Sequence, residues 1–176
     1  NTMGSGNTMG SGNTMGSGNT MGSGAMDHAA HGMGGAPTGG PGLVKVDIGP
    51  ASGSKVAGAA LFTEKDGKVH AVVHVTGLTD GDHGFHIHEK GDCSAPDASS
   101  AGAHFNPTNA AHGGPAAPVH HAGDFGNLGS KGGIAHLELD VAGISLGTGP
   151  SSIMGRAVVV HEKADDFTTQ PTGNAG

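Results

Sequence analysis

Residues 82–96 read DHGFHIHEKGDCSAP and place two histidines, His86 and His88, one residue apart. In a β-strand the side chains of residues i and i+2 point to the same face of the sheet. A strand through this stretch would therefore set two imidazoles side by side, a suitable geometry for two ligands of one metal ion. A His-x-His pair alone is a modest signal, because many such pairs are only solvated. The surrounding sequence has to supply further ligands.

The sequence on either side of this stretch indicates a small all-β protein. In LVKVDI (43–48), apolar residues alternate with Lys45 and Asp47, as expected for a half-buried strand. Similar runs are KVAGAALF (55–62), KVHAVVHVTGL (68–78), IAHLELDV (134–141) and RAVVVHEK (156–163). Asp66-Gly67 is typical of a hairpin turn between two of them. No segment has a helical period, so the sequence predicts a β-sandwich or barrel.

The first 42 residues have a different composition. Residues 1–24 are four copies of NTMGSG, a repeat that is too rich in glycine to build a packed face. We expect a flexible leader over residues 1–42 and one β domain over residues 43–176. Met26, His28, His31 and Met33 in the leader offer the thioether and imidazole ligands that suit copper. Copper capture by the leader and an incidental His/Met content both remain open interpretations.

Composition excludes several classes of partner. The formal net charge of −7 argues against binding to nucleic acid or to an anionic membrane surface. No apolar run approaches the length that spans a bilayer, and no secretory signal peptide is visible. The single cysteine, Cys93, argues against a disulfide framework within this chain.

A long segment rich in Gly and Pro, residues 91–133, contains more candidate ligands. A loop of this length inside a compact domain is normally functional. It carries His104, His112, His121 and Asp124, and His161 follows the last apolar run. Metal–ligand bonds would offset the entropy lost when such a loop is ordered. Three imidazoles and a carboxylate suit tetrahedral zinc, and several imidazoles in a planar set suit Cu(II).

The remaining histidines have less specific surroundings. His120 is the alternative to its neighbour His121, although the His-x-x-Asp spacing favours His121. His70, His74 and His136 lie in predicted strands and are interpreted as surface or sheet residues.

Six segments together resemble the copper/zinc superoxide dismutase family. In order they are GFHIHEKGDC (84–93), SAGAHFNP (100–107), HGGP (112–115), HAGDFGN (121–127), GRAVVVHEKADD (155–166) and TGNAG (172–176). The resemblance implies a Greek-key β-barrel with long ordered metal-binding loops. It implies copper ligation by His86, His88, His104 and His161, and zinc ligation by His104, His112, His121 and Asp124. It further implies that Asp165 links His86 to His112 through hydrogen bonds, and that His83 is a structural histidine.

The resemblance also implies the reaction. Superoxide is converted to oxygen and hydrogen peroxide by copper redox cycling, and zinc orients the shared His104. When copper is reduced, His104 is expected to leave it and take up a proton, which then assists the departure of peroxide. The alternative function is a dismutase-like copper carrier with little turnover.

The family pattern continues past Gly176, with an arginine that guides superoxide and a cysteine that pairs with Cys93. The sequence therefore predicts that the final strand is missing, that a sheet edge is exposed, and that activity is reduced. The Cys93 disulfide implies a periplasmic or extracellular location, with the cytoplasm as the alternative. The resemblance allows a homodimer, but the sequence does not determine the oligomeric state, because family members differ in the face that they use.

Overall fold

The computed structural model describes residues 30–33 and 42–175. Within them, eight strands form one antiparallel sheet that closes into a barrel in the order β1-β2-β3-β4-β7-β6-β5-β8. The strands are β1 (Ala30–Met33), β2 (Leu43–Gly49), β3 (Ala57–Lys65), β4 (Lys68–Thr76), β5 (Gly81–His88), β6 (Asp124–Lys131), β7 (Ile134–Ala142) and β8 (Ala157–Val160). A single 3₁₀ turn, Ser99–Ala101, interrupts the long loop between β5 and β6.

The β3–β4 hairpin follows directly from the sequence pattern. Lys65 pairs with Lys68, and the two residues between them, Asp66 and Gly67, both have positive φ angles of 53° and 74°. A two-residue turn with positive φ at both positions matches the twist of the flanking strands. The predicted Asp-Gly turn is therefore confirmed.

The barrel interior is filled by alternate residues of each strand. On β4, Val69, Ala71, Val73 and Val75 are fully buried, whereas the residues between them lie on the outer face. Three phenylalanines add bulk, since the Phe125 ring packs edge-on against Phe62 and Phe85 with centroids 6.4 Å and 5.6 Å away. This core gives the strands around it a rigid base.

The connection from β4 to β5 makes the barrel a Greek key. The spatial neighbour of β4 is β7, and β5 lies on the far side between β6 and β8. The prediction of an all-β Greek-key barrel with long ordered loops is confirmed. Among the described residues, no helix is long and apolar enough to cross a membrane.

Strand β1 comes from the segment that the sequence assigned to a flexible leader. Its backbone pairs with β2, with His31 opposite Gly49, and with β8, where His31 lies opposite Val159. The sheet edge that was expected to be exposed is thus covered, because β1 occupies the position between β2 and β8. Met26 and His28 lie outside the described residues, so copper capture by the leader stays a prediction.

Candidate metal centre

Strand β5 supplies the first two histidines. Its Phe85 and Ile87 point into the barrel core and are buried, so the intervening residues His86 and His88 point outward. The outward face is nevertheless covered by loops, and the two histidines are also buried. The sequence expectation that both imidazoles share one strand face is met.

The neighbours of β5 bring further candidate ligands to the same face. His86 lies opposite Asp124 of β6 on one side and opposite Val159 of β8 on the other. The pairing with β6 shifts between Gly84 and His86, which indicates a β-bulge. His161 directly follows β8, and its backbone amide donates to the Gly84 carbonyl at 2.7 Å.

The long loop is tied to β5 by backbone hydrogen bonds. Phe105 donates to the Ile87 carbonyl at 2.8 Å, and Ile87 donates to the Gly123 carbonyl at 2.9 Å. A Cβ atom on Gly123 would lie 2.2 Å from the Ile87 carbonyl oxygen, so only glycine permits this approach. His104 is thereby paired with His88 in an isolated bridge.

Two groups of ligand atoms result, and His104 belongs to both. In each group the ligand atoms lie within 4.8 Å of one another, and every member is buried. The first group is His86, His88, His104 and His161, and the second is His104, His112, His121 and Asp124. These are the same two sets that the sequence proposed, and His121 rather than His120 is included.

Asp124 lies at the centre of the second group. Its Oδ1 is 2.8 Å from His104 Nδ1 and 3.4 Å from His121 Nδ1, and its Oδ2 is 3.0 Å from His112 Nδ1. The carboxylate also accepts hydrogen bonds from the backbone amides of Gly113 and His121. Three imidazole nitrogens therefore converge on one fixed carboxylate.

Hydrogen bonds to the outer ring nitrogens determine which nitrogen each histidine directs inward. His86 and His112 turn Nε2 toward the two oxygens of Asp165, at 2.7 Å and 2.9 Å, which leaves Nδ1 facing the ligand groups. His88 turns Nδ1 toward the Gly102 carbonyl at 2.8 Å, so its Nε2 faces inward, 3.4 Å from His161 Nε2. Such partners fix ring orientation in metal sites.

The nitrogens that face inward fit metal ligation. The Nδ1 atoms of His86, His112 and His121 are buried and make no hydrogen bond within the described residues, although those of His112 and His121 lie 3.0 Å and 3.4 Å from oxygens of Asp124. A buried polar atom without a partner is costly, and such atoms are rare in folded proteins. Bonds to a metal ion would satisfy all three atoms. Four imidazoles suit copper, and three imidazoles with a carboxylate suit zinc.

The protonation states also suit metal binding. Burial lowers the pKa of His86 to about 3 and outweighs the opposing hydrogen bond to Asp165. Burial raises the pKa of Asp165, but hydrogen bonds from His86, the Phe167 amide and His112 outweigh it and hold this pKa well below its usual range. The imidazole is neutral and the carboxylate ionised, as metal ligation requires.

The second group has the same electrostatic character. Burial is the main influence that lowers the pKa of His121. Burial raises the pKa of Asp124, but hydrogen bonds from His104, the His121 amide and the Gly113 amide lower it further than burial raises it. A neutral imidazole again faces an ionised carboxylate.

Arg156 is a supporting residue that sequence reasoning missed. Its Nη1 donates to the Glu89 carbonyl at 2.8 Å, and its guanidinium carbon lies 3.7 Å from the centre of the Phe105 ring. Glu89 follows His88, and Phe105 follows His104, so this chain's only arginine joins the segments after two ligands. Its position as the first residue of RAVVVH (156–161) gives no signal of this role.

Two amides support the centre in a similar way. Gln170 clamps His112, because its Oε1 accepts from the His112 amide at 2.9 Å and its Nε2 donates to the His112 carbonyl at 3.0 Å. Asn127 does the same for Asp165, with hydrogen bonds of 2.8 Å and 3.0 Å to the backbone. The motif GDFGN could have indicated a role for Asn127, but Gln170 lies in a segment without a motif.

The remaining histidines near the centre have structural partners. The two ring nitrogens of His83 lie 2.9 Å from the His161 carbonyl and 3.0 Å from the Thr79 carbonyl, so its expected hydrogen-bonding role is confirmed. His120 turns Nδ1 toward the His121 carbonyl at 2.7 Å.

Asp165→Asn should lower metal affinity although Asp165 belongs to neither ligand group. Asparagine has only one oxygen, so His86 or His112 would face an NH₂ group that cannot accept its hydrogen bond. Losing such a partner typically costs roughly 10–100-fold in affinity or activity. Zinc and copper titrations of the variant check this expectation.

Asp166→Asn is the matched control, since Asp166 is exposed and its carboxylate accepts hydrogen bonds from Thr168 and Thr169 in its own turn. Its metal affinity should be that of the unaltered chain. Equal affinities for the Asp165 and Asp166 variants would show that Asp165 does not orient the ligands.

Comparisons with known proteins agree with this geometry. A family model described as copper/zinc superoxide dismutase matches residues 56–176. The chain is 43% identical over 141 residues to superoxide dismutase [Cu-Zn] A of Xenopus laevis, which covers 76% of this chain and 92% of that protein. It is 44% identical over 140 residues to the extracellular superoxide dismutase [Cu-Zn] of Drosophila melanogaster, covering 73% and 76%. The crystal structure of the clock protein EA4 superposes with a TM-score of 0.65 at 38% identity, covering 89% of this chain and 92% of that one.

Proposed function

Because this chain belongs to the copper/zinc superoxide dismutase family, we propose that its two buried ligand groups hold the two metals of that family. Copper is assigned to His86, His88, His104 and His161, and zinc to His104, His112, His121 and Asp124. The protein is a superoxide dismutase that uses copper and zinc. The observation that carries the residue assignment is that one side chain, His104, belongs to both groups.

The geometry of His104 supports its role as a bridge. Its Nδ1 is directed to Asp124 at 2.8 Å, so its Nε2, on the other side of the ring, is directed toward the copper group. Its ring centre lies 3.9 Å from that of His86 and 5.3 Å from that of His112. An imidazole that bridges two cations has lost both ring protons, and two nearby dications stabilise that anion.

His104 and Asp124 have separate roles in the proposed reaction. Bound copper supplies one-electron chemistry, oxidising one superoxide ion to oxygen and reducing a second to peroxide. His104 and Asp124 would hold zinc together, which would keep the His104 ring in one orientation whether its Nε2 is a ligand or carries a proton. With copper bound, a proton held on His104 Nε2 would face the copper group and could serve there as a general acid.

Access to the copper group is limited but present. His88 and His161 are 7% and 8% exposed, whereas His86 is fully buried. A small anion would therefore approach over the edges of His88 and His161. Burial of the rest excludes bulk water and strengthens the electrostatic interactions of the site.

Location and assembly belong to the same proposal. An extracellular location is supported by the name of the similar Drosophila protein. Cys93 packs against Ala98, Ala101, Ala157 and Val159, and burial raises the pKa of its thiol, which suits a structural role. The homodimer that the resemblance allows stays part of this proposal.

Metal removal and reloading test the function. The chain loaded with copper and zinc should accelerate superoxide decay, the chain stripped of copper should not, and copper should restore the rate. Zinc alone should restore nothing, since zinc is not redox active. A chain that binds both metals without accelerating decay would instead be a copper carrier, and the proposal would be wrong.

A further inference from the structure

Three histidines lie outside the metal centre on one outer face of the barrel. On β4, His70 and His74 alternate with the buried valines, and on β7, His136, Glu138 and Asp140 point to the same side. The strand register places His74 directly opposite His136, and His70 directly opposite Asp140. The sequence alone could not show this, because β4 and β7 are about sixty residues apart in the chain.

We propose that His74 and His136 form a third, solvent-exposed site for a divalent transition-metal ion. Imidazole is the commonest protein ligand for such ions, and two neutral imidazoles on neighbouring strands can chelate one ion. This site is separate from the dismutase centre, and it does not depend on the proposed function.

The geometry of the histidine pair supports chelation. The ring centres of His74 and His136 are 6.3 Å apart, and the rings are tilted by 54°. Metal–nitrogen bonds of about 2.0–2.1 Å would place the two ring centres roughly 5–6 Å apart. Both side chains are exposed, and exposed side chains change rotamer within nanoseconds. Rotation of these side chains would therefore bring the two rings to that separation.

The charge around the pair also favours a cation. Glu138 lies two residues from His136 on the same strand face, and its carboxylate is 3.4 Å from His70 Nε2 and largely exposed. Asp140 Oδ1 lies 2.8 Å from His70 Nδ1 and orients that ring. Across one strand pair, diagonal neighbours are about 7–8 Å apart at their Cα atoms, which a glutamate side chain can span. Water would complete the coordination, so binding should be weaker and faster to exchange than in the buried centre.

The test is a zinc titration of the protein already loaded with copper and zinc, followed by equilibrium dialysis. The unaltered chain should bind at least one additional zinc ion. His74→Ala and His136→Ala should each lower the affinity for that ion more than the roughly 10–100-fold typical of losing a partner outside the ligand set. Both substitutions are on the surface, so superoxide decay and the copper content should not change.

His70→Ala is the matched control, because it removes a histidine from the same face without removing a proposed ligand. It should retain the additional zinc. Zinc bound elsewhere, including by the leader, contributes equally to all three variants and cancels in the comparison. The proposal is overturned if the His74 and His136 variants bind zinc as the unaltered chain does, or if His70→Ala alone loses it.

Discussion

Replacing His104 with alanine should abolish the acceleration of superoxide decay by the metal-loaded chain, because this one side chain belongs to both ligand groups. The copper group would lose its link to Asp124, and the second group would lose one of its three imidazoles. The loss should exceed the roughly 10–100-fold that follows from removing a partner outside the ligand set. Both zinc and copper affinities should fall together, unlike the result for a residue that serves one metal.

His120→Ala is the control for this variant. His120 is adjacent to a proposed ligand in sequence and directs Nδ1 to the His121 carbonyl, but it is in neither group. Its activity and metal content should equal those of the unaltered chain. A retained β-sheet circular dichroism spectrum separates loss of the bridge from loss of the fold. If His104→Ala keeps its activity while folded, the shared histidine is not needed for catalysis.

Part of the candidate site could be predicted because strand periodicity and spacing are local properties, and the full ligand sets are what the family resemblance implies. His86 and His88 could be placed on one face by alternation alone, and His121 was preferred over His120 by its spacing from Asp124. The order of the six segments then identified the family. The structure shows the strand arrangement, in which β6 and β8 bring Asp124 and His161 to either side of β5.

Long-range contacts were the part that the sequence could not predict. Arg156 and Gln170 form hydrogen bonds with the backbone of Glu89 and His112. Because every residue has such backbone groups, the identity of the partner residue does not indicate these contacts. The closing strand Ala30–Met33 reads AHGM and shows no alternation, so it was assigned to the leader. Its pairing depends on two strands that are distant in sequence, β2 and β8, and pairing of this kind is decided by the fold as a whole.

His161→Ala and His121→Ala should separate the two metals. His161 belongs only to the first group and His121 only to the second. The His161 variant should therefore lose copper and superoxide decay while it retains zinc. The His121 variant should lose zinc and retain copper, and the zinc-dependent part of its stability should disappear. At a free zinc concentration about 1,000 times the dissociation constant, zinc binding adds about 4 kcal/mol to the free energy of unfolding.

The most direct test of the two-metal assignment is the copper and zinc content of these two variants, measured by elemental analysis after loading and dialysis alongside the unaltered chain. The account predicts bound copper and zinc in the unaltered chain, a deficit of one copper in His161→Ala, and a deficit of one zinc in His121→Ala. Losing the same metal in both variants, or neither metal in either, would contradict the assignment of copper and zinc to two groups joined at His104.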